Sequence, residues 1–332
     1  MKIGRLFTLS LIVCLSAGAN SGQTASSFRT VSAPVEIKPP VDVSPLLAKV
    51  TDNHGFTQSI DGTCLFYRYW NAPPAPETSP EYIVLMLHGI GLHSGVYAPV
   101  AAQLNKPGIA FFALDMRGHG LSCGKREHVP DEETETSDIA AMLGTIRQLY
   151  PHAKLFLMAE SMSTPFALNF AKENSGELSG MILVSPYVAV ASDQWRQWGT
   201  FKYLPDLLFW PNKPAISLVG RGIAPGSEAA RTAAPPPEDS LAYYKVSVNY
   251  ILEVHRATEH WAVAAPKVQV PTLILNGEDD AVVKAGSDRR LFDLLASKDK
   301  EIKTYPNAQH SLLRKPPTPD IFTGISDWIE KH

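Results

Sequence analysis

Short apolar runs recur along this chain, and most of them are followed by a segment whose apolar residues have helical spacing. Strands that alternate with helices in this way indicate βαβ units, which form a mainly parallel sheet with helices on both faces. Such sheets place their sites beyond the carboxyl ends of the strands. The predicted fold class is therefore α/β, and the loops that follow the strands are where chemistry is expected. The runs span residues 82–87, 109–114, 155–158, 181–184 and 272–275.

An antiparallel hairpin is predicted ahead of this series. Residues 56–60 and 64–70 read as strands, and they flank the pair Asp61-Gly62, which is a strong hairpin signal. Residues 71–80 contain four prolines and are predicted to form a loop. The hairpin is expected to lie at the edge of the sheet.

The third apolar run stops at a serine that is flanked by small residues. A serine at a sharp turn from strand to helix has an exposed hydroxyl, and the backbone N–H of the next residue points toward the group that the hydroxyl attacks. Ser161 is therefore the candidate nucleophile, and Met162 is a candidate oxyanion donor. The usual pattern is G-x-S-x-G, whereas this chain has Ala159 and Ser163, both small. Taken alone, the pattern also fits an ordinary buried turn.

Two further loops follow strands on the same side of the predicted sheet. The first is His88-Gly89-Ile90-Gly91, whose glycines let the backbone bend close to the sheet, so Ile90 is the second candidate oxyanion donor through its N–H group. The second is the polar loop 115–122, with the sequence DMRGHGLS. This loop can be catalytic, but a bracing role is the favoured interpretation.

An acid and a histidine complete the pattern. The run 272–275 leads into Asp279 and Asp280, and a carboxylate at a strand end is suited to orient a histidine. His310 follows the last predicted strand, residues 301–305, in a short polar loop. The order nucleophile, acid, histidine is that of the α/β-hydrolases.

The remaining histidines fit this role less well. His88 and His119 lie in loops bounded by glycines, where bracing is the favoured role. His255 and His260 do not make the H-E-x-x-H pattern of a zinc site. Three others lie at the C-terminus or away from strand ends: His54, His152 and His332.

The rhythm breaks between about residues 190 and 268. This segment has no apolar run that predicts a buried strand, but it holds four of the six tryptophans. We interpret it as an inserted helical cap, whose aromatic face packs on the sheet domain and also lines an apolar substrate pocket. Its aromatic and leucine residues are Trp195, Trp198, Phe201, Tyr203, Leu207, Leu208, Phe209, Trp210 and Trp261.

The N-terminus has the pattern of a secretory signal peptide. Lys2 and Arg5 precede an apolar run that ends in the triplet Ala17-Gly18-Ala19, so residues 1–19 are predicted to be cleaved before Asn20 and the protein to be exported. An uncleaved membrane anchor or lipidation at Cys14 are the alternatives. Residues 20–50 are predicted to be an extended lead-in to a single large domain, residues 51–332.

Composition excludes several classes of function. A formal net charge of −3 and a pI near 6.4 give no basic surface for nucleic acid and no polybasic patch for anionic lipid. The three cysteines lack the paired spacing of zinc or iron–sulfur sites, so no metal and no cofactor is expected. Cys64 and Cys123 lie in distant segments, and a disulfide between them is not expected.

These loops resemble those of the monoacylglycerol lipase and lysophospholipase branch of the α/β-hydrolases, whose members are often labelled serine aminopeptidase-like. The resemblance runs from about Gly62 to the C-terminus. The elbow departs from the usual G-x-S-M-G-G of that branch, because this chain has A-E-S-M-S-T at residues 159–164. The matching stretches are 88–91 with 93–94, 115–122 with 124–126, 277–280 and 308–310.

The resemblance implies an α/β-hydrolase fold with an inserted cap and a serine hydrolase that needs no cofactor. It favours Asp280 over Asp279 as the acid, which gives the triad Ser161, Asp280 and His310. The implied substrate is a small ester or lipid, such as a monoacylglycerol or a lysophospholipid, with transient contact of the cap with a membrane surface. Cleavage of amides or peptides by the same triad, and a hydrolase fold used only for binding, remain alternatives.

Overall fold

A largely parallel eight-stranded sheet organises the part of the chain that the computed structural model describes, which is residues 44–72, 79–189, 204–218, 239–314 and 319–332. The strands in chain order are β1 (Asn53–Gln58), β2 (Cys64–Trp70), β3 (Tyr82–Leu87), β4 (Ile109–Leu114), β5 (Lys154–Glu160), β6 (Gly180–Val184), β7 (Pro214–Ser217), β8 (Lys245–Ser247), β9 (Thr272–Gly277) and β10 (Lys300–Tyr305).

The order of strands in this sheet is β1-β2-β4-β3-β5-β6-β9-β10. The pairs β1–β2 and β2–β4 are antiparallel, and the five other pairs are parallel. The predicted edge hairpin is confirmed, with Asp61 accepting a hydrogen bond from the Thr63 N–H in its turn. The predicted α/β fold class is also confirmed, because the sheet is mainly parallel and helices pack on both of its apolar faces.

Helices cover both faces of the sheet, and each face has its own apolar core. α3 (Glu132–Leu149) and α4 (Thr164–Asn174) pack on one face, whereas α2 (Ala98–Gln103) and α9 (Pro319–Lys331) pack on the other. Asp131 caps α3 by accepting the N–H of Thr134. The helices are α1 (Ser44–Leu47), α2 (Ala98–Gln103), α3 (Glu132–Leu149), α4 (Thr164–Asn174), α5 (Leu204–Phe209), α6 (Val248–Thr258), α7 (Trp261–Ala264), α8 (Ser287–Leu294) and α9 (Pro319–Lys331).

The segment inserted between β6 and β9 is not purely helical. Its described parts contain α5, α6 and α7, but β7 and β8 also form an antiparallel two-stranded sheet that the sequence did not predict. Ile216 and Val246 are the buried apolar side chains of this small sheet. Strands of three and four residues are too short to produce a recognisable alternation of apolar and polar residues. The predicted aromatic positions 195, 198, 201 and 203 lie outside the described residues.

The predicted signal peptide and most of the lead-in also lie outside the described residues. Within the described ranges, no helix is both long and apolar enough to cross a membrane.

Gly277, the last residue of β9, lets the loop before His310 approach the sheet closely. A Cβ at this position would lie 2.3 Å from the carbonyl oxygen of Ala308. We expect Gly277→Ala to lower the free energy of unfolding by about 1–3 kcal/mol, because backbone must move to make room. Chemical denaturation followed by circular dichroism measures this change.

Gly144 provides the matched control, because it lies within α3 and a Cβ there would meet no atom within 4 Å. Gly144→Ala should raise the free energy of unfolding by up to about 1 kcal/mol, since alanine is the better helix former. Equal effects of the two substitutions would contradict the assignment of Gly277 to a close approach.

Candidate active site

The turn after β5 places Ser161 in a conformation that few residues adopt. Its φ is +54°, in the left-handed region, where a non-glycine residue is strained. A 3₁₀ turn at Ser161–Ser163 leads directly into α4. Pro165 lies in the first turn of α4, where its missing N–H leaves no intrahelical bond unmade. The local geometry is therefore the strand–turn–helix arrangement that the sequence predicts.

Ser163 does more than fill the space of a glycine. Its hydroxyl lies 2.9 Å from the carbonyl oxygen of Leu87, at the end of β3, and 3.0 Å from that of Glu160. One hydroxyl proton serves both acceptors, so the bond is shared between them. The side chain ties the turn to the neighbouring strand, a role that its small size alone did not suggest.

Three predicted residues from distant parts of the chain meet at this turn. The Nε2 atom of His310 is 2.8 Å from the Ser161 Oγ, and its Nδ1 atom is 2.8 Å from Oδ2 of Asp280. The other oxygen of Asp280 accepts hydrogen bonds from the N–H groups of Val282 and Val283, at 2.8 and 3.0 Å. The structure therefore brings Ser161, His310 and Asp280 into one hydrogen-bonded chain.

The surroundings of Asp280 keep its carboxyl group ionised. Burial would raise its pKa, but the facing His310 and the two backbone N–H donors outweigh burial and hold the pKa below its ordinary value. Asp279, the neighbouring candidate, is exposed and donates its backbone N–H to the carbonyl of Ala308. Of the two candidates, Asp280 is therefore the one whose carboxylate bonds to His310.

Ser185 supports the histidine from below, although no motif pointed to it. It follows β6 and has a φ of +46°. Its hydroxyl donates a 2.8 Å hydrogen bond to the backbone carbonyl of His310. Because this contact links two segments 125 residues apart, only the three-dimensional structure could reveal it.

Residues 88–94, which we call the glycine loop, lie against the turn that carries Ser161. A Cβ on Gly89 would be 3.6 Å from the Cβ of Ser161, an ordinary van der Waals distance, so the two residues are direct neighbours. Ile90 and Met162 come directly after these two residues. Neither of their backbone N–H groups has a hydrogen-bond acceptor among the described residues. Both donors are thus available beside the hydroxyl.

The inserted segment holds the glycine loop at two points. Tyr243 donates its backbone N–H to the carbonyl of Gly91 over 2.7 Å. The ring of His93 accepts the N–H of Gly95 at Nδ1, so its Nε2–H donates to Asp239, 2.7 Å away. The insertion therefore contacts the site directly.

The polar loop 115–122 makes bracing contacts. The buried carboxylate of Asp115 accepts the N–H groups of Ser94 and Leu121, at 2.6 and 2.7 Å. Burial lowers the pKa of His88 to about 4 and that of His119 to about 3, so both rings are neutral at pH 7. Their hydrogen bonds to backbone and to Tyr250 fix the loops around the site.

No group of three or more histidine, cysteine, aspartate or glutamate side chains suited to a metal ion occurs in the described ranges. The chemistry available from the geometry is that of a serine activated by a histidine, beside two free backbone donors.

Comparison with known proteins agrees with this geometry. Residues 78–317 match the family model described as serine aminopeptidase, S33. The chain is 30% identical to monoglyceride lipase from Homo sapiens over 278 residues, which cover 82% of this chain and 88% of the human protein. It is 25% identical to monoacylglycerol lipase from Mycolicibacterium smegmatis over 298 residues, covering 86% of this chain and all of that one.

The solved structures include one of a soluble variant of monoglyceride lipase from Saccharomyces cerevisiae. It superimposes with a TM-score of 0.67 at 21% identity, over 86% of this chain and 97% of the yeast chain. The match at this identity shows the fold. Since the family model covers most of the chain, this protein belongs to the serine aminopeptidase S33 family of α/β-hydrolases and is a serine ester hydrolase.

Proposed function

We propose that this protein cleaves carboxylic esters of the monoacylglycerol or lysophospholipid type through an acyl-enzyme intermediate on Ser161. The observation that carries the proposal is the chain of two 2.8 Å contacts from Ser161 through His310 to Asp280. The names of the relatives, monoglyceride and monoacylglycerol lipases, support a small lipid ester as the substrate.

Each residue has a distinct role in this mechanism. His310 takes the Ser161 proton at Nε2 while the serine oxygen attacks the ester carbonyl carbon. Asp280 holds the proton on Nδ1, so that Nε2 is free to accept, and it stabilises the imidazolium that forms. The N–H groups of Ile90 and Met162 stabilise the oxyanion. His310 then protonates the leaving alcohol, and water, activated by the same ring, releases the acid.

The apolar side chains that pack beside Ser161 suit an acyl chain. Met162 and Tyr187 are buried next to the turn, and Tyr250 of the insertion places its hydroxyl 3.7 Å from the Met162 sulfur. Leu218 of the insertion packs against the same core, close to Gly91.

Hydrolysis of amides or peptides on the same triad is the alternative chemistry, and the family description favours it. Rates on an ester and an amide of the same acyl chain separate the two. Faster hydrolysis of the amide than of the ester would overturn the ester assignment. A purely binding role would leave Ser161 unreactive toward an activated-serine probe.

The surface of the insertion supports transient contact with a membrane. Leu208 and Phe209, at the end of α5, and Trp210, directly after it, are exposed, so the prediction that these three side chains pack on the sheet domain is wrong. Exposed aromatic residues of this kind favour the membrane interface. Flotation with phosphatidylcholine vesicles tests the contact, and Phe209→Ser should weaken it without changing hydrolysis of a soluble ester.

Export is proposed on the N-terminal pattern alone. Mature protein should begin near Asn20, and N-terminal sequencing of native material that still carried Met1 would contradict this.

A fluorophosphonate probe tests the nucleophile. We expect stoichiometric labelling of Ser161 and none in Ser161→Ala. His310→Ala should lower esterase activity by at least about three orders of magnitude, because the base is lost while the oxyanion donors remain. Intact-mass spectrometry and hydrolysis of a short-chain ester measure the two effects. Labelling at another serine would exclude the proposed mechanism.

The two adjacent aspartates provide a matched pair for the acid. Asp280→Asn should reduce kcat by about 10⁴-fold, because an amide in that place favours the wrong tautomer of His310. Asp279→Asn should leave kcat within about twofold, since that side chain is exposed. Steady-state kinetics on one ester measure both, and the reverse result would reassign the acid.

A further inference from the structure

A buried carboxylate lies directly beneath the nucleophile. Glu160, the residue before Ser161, is only 1% exposed. Its Oε1 accepts a 2.9 Å hydrogen bond from Nη2 of Arg314, and its Oε2 accepts a 2.6 Å hydrogen bond from the hydroxyl of Tyr97. The mechanism above assigns no role to any of these three side chains.

The network joins the three backbone segments that the site needs. Glu160 precedes the nucleophile, and Arg314 lies four residues after His310. The Tyr97 oxygen accepts the N–H of Gly89 over 3.2 Å, which fixes the residue before the candidate oxyanion donor Ile90. A shift of any one segment would therefore strain the hydrogen bonds of the other two.

The charges around Glu160 favour its ionised form. Burial would raise its pKa, but Arg314, the hydroxyl of Tyr97 and the charge of His310 together hold that pKa below its ordinary value. His88, which is buried and neutral, also interacts with it. Glu160 is thus an anion directly before Ser161, whose Oγ lies 2.8 Å from Nε2 of His310, the ring that must become positive.

A buried ion pair rarely adds net stability, because desolvation offsets the attraction. Its position therefore suggests a role beyond holding the fold together. Electrostatic coupling is reciprocal: if protonated His310 favours the anion of Glu160, that anion favours protonated His310. Asp280 faces the other side of the same ring.

We propose that Glu160 is a positioning residue of this active site, whose charge favours the protonated form of His310 and whose bonds through Tyr97 and Arg314 keep the glycine loop and the histidine loop in place. The inference rests on the proposed esterase function. During the reaction Glu160 transfers no proton and touches no substrate.

Two variants separate the charge from the hydrogen bonds. Glu160→Gln removes the charge, so the acid limb of the kcat/KM profile on a soluble short-chain ester should move to lower pH by about one unit, because protonated His310 becomes less favourable. Tyr97→Phe keeps every charge, so the acid limb should stay while kcat falls about tenfold at unchanged KM. The double variant Glu160→Gln/Arg314→Gln removes both charges of the pair, so its acid limb should move down by less than that of Glu160→Gln.

The ring signals of His310 in NMR titrations give the same readout without turnover. A parent enzyme that resisted the fluorophosphonate probe would defeat the proposed function, yet the downward shift of the His310 midpoint in Glu160→Gln would still be measurable. An unchanged midpoint and an unchanged acid limb, with only a lower melting temperature, would show that Glu160 is merely structural and would overturn the inference.

A second inference concerns Cys64 and Cys123, which the fold brings side by side. Cys123 donates its backbone N–H to the carbonyl of Cys64 over 2.8 Å, so the two residues are direct neighbours. Both are free thiols in the structure. Cys64 is buried, whereas Cys123 is partly exposed, so an oxidant reaches Cys123 first.

We propose that these cysteines form a reversible disulfide when the protein meets a small disulfide oxidant. The Cys123 thiolate attacks one sulfur of oxidised glutathione and releases one glutathione thiolate. Burial raises the pKa of the Cys64 thiol to about 12, so this thiol gives up its proton to solvent as it attacks the mixed disulfide at the Cys123 sulfur, and the second glutathione thiolate leaves. The protein loses two electrons and two protons, and two reduced glutathione molecules result.

Treatment of the purified protein with oxidised glutathione tests this proposal. The expected product carries a peptide cross-link between Cys64 and Cys123, resists alkylation at both, and melts about 5 °C higher, because the bond closes a long loop. Cys64→Ser should instead stop at a glutathione adduct on Cys123. The same stable adduct in the parent, or unreacted thiols, would overturn the proposal.

Discussion

The strained backbone at Ser161 is the constraint on which the rest of the site depends. A non-glycine residue at a φ of +54° costs on the order of 1–3 kcal/mol, and it persists only where the surroundings fix it. Here β5 is held between β3 and β6, and the N–H of Tyr187 donates to the Ser161 carbonyl. The hydroxyl of Ser163 binds the same turn to β3. Contacts on three sides of the turn thus hold Ser161 in its strained conformation.

The fold followed from the sequence because its central strands are apolar on both faces. Such runs have no polar face to expose, so they fit a sheet that is covered on both sides. Ser161, Asp280 and His310 were candidates because each lies in the loop after a strand, and the carboxyl ends of parallel strands meet at one edge of the sheet. Position along the chain was sufficient for Ser161 and His310, whereas the choice of Asp280 over Asp279 came from the family resemblance.

The supporting residues could not be found in this way. Ser185 and Arg314 act on groups more than a hundred residues away, and nothing in the neighbouring sequence distinguishes them from ordinary loop residues. Glu160 occupies the variable position of the elbow motif, which carries no expectation about charge. β7 and β8 were not predicted for a different reason, because strands of three and four residues are too short for a recognisable alternation of apolar and polar side chains.

The grip of the insertion on the glycine loop bears on how this protein can be re-engineered. Asp239 and Tyr243 hold His93 and Gly91, so the insertion and the backbone beside Ser161 are mechanically linked. A chimaera that exchanged only the insertion would lose both attachments unless the new segment supplied a carboxylate and a backbone donor at the same places. The insertion is therefore not a module that can be exchanged independently of the backbone around Ser161.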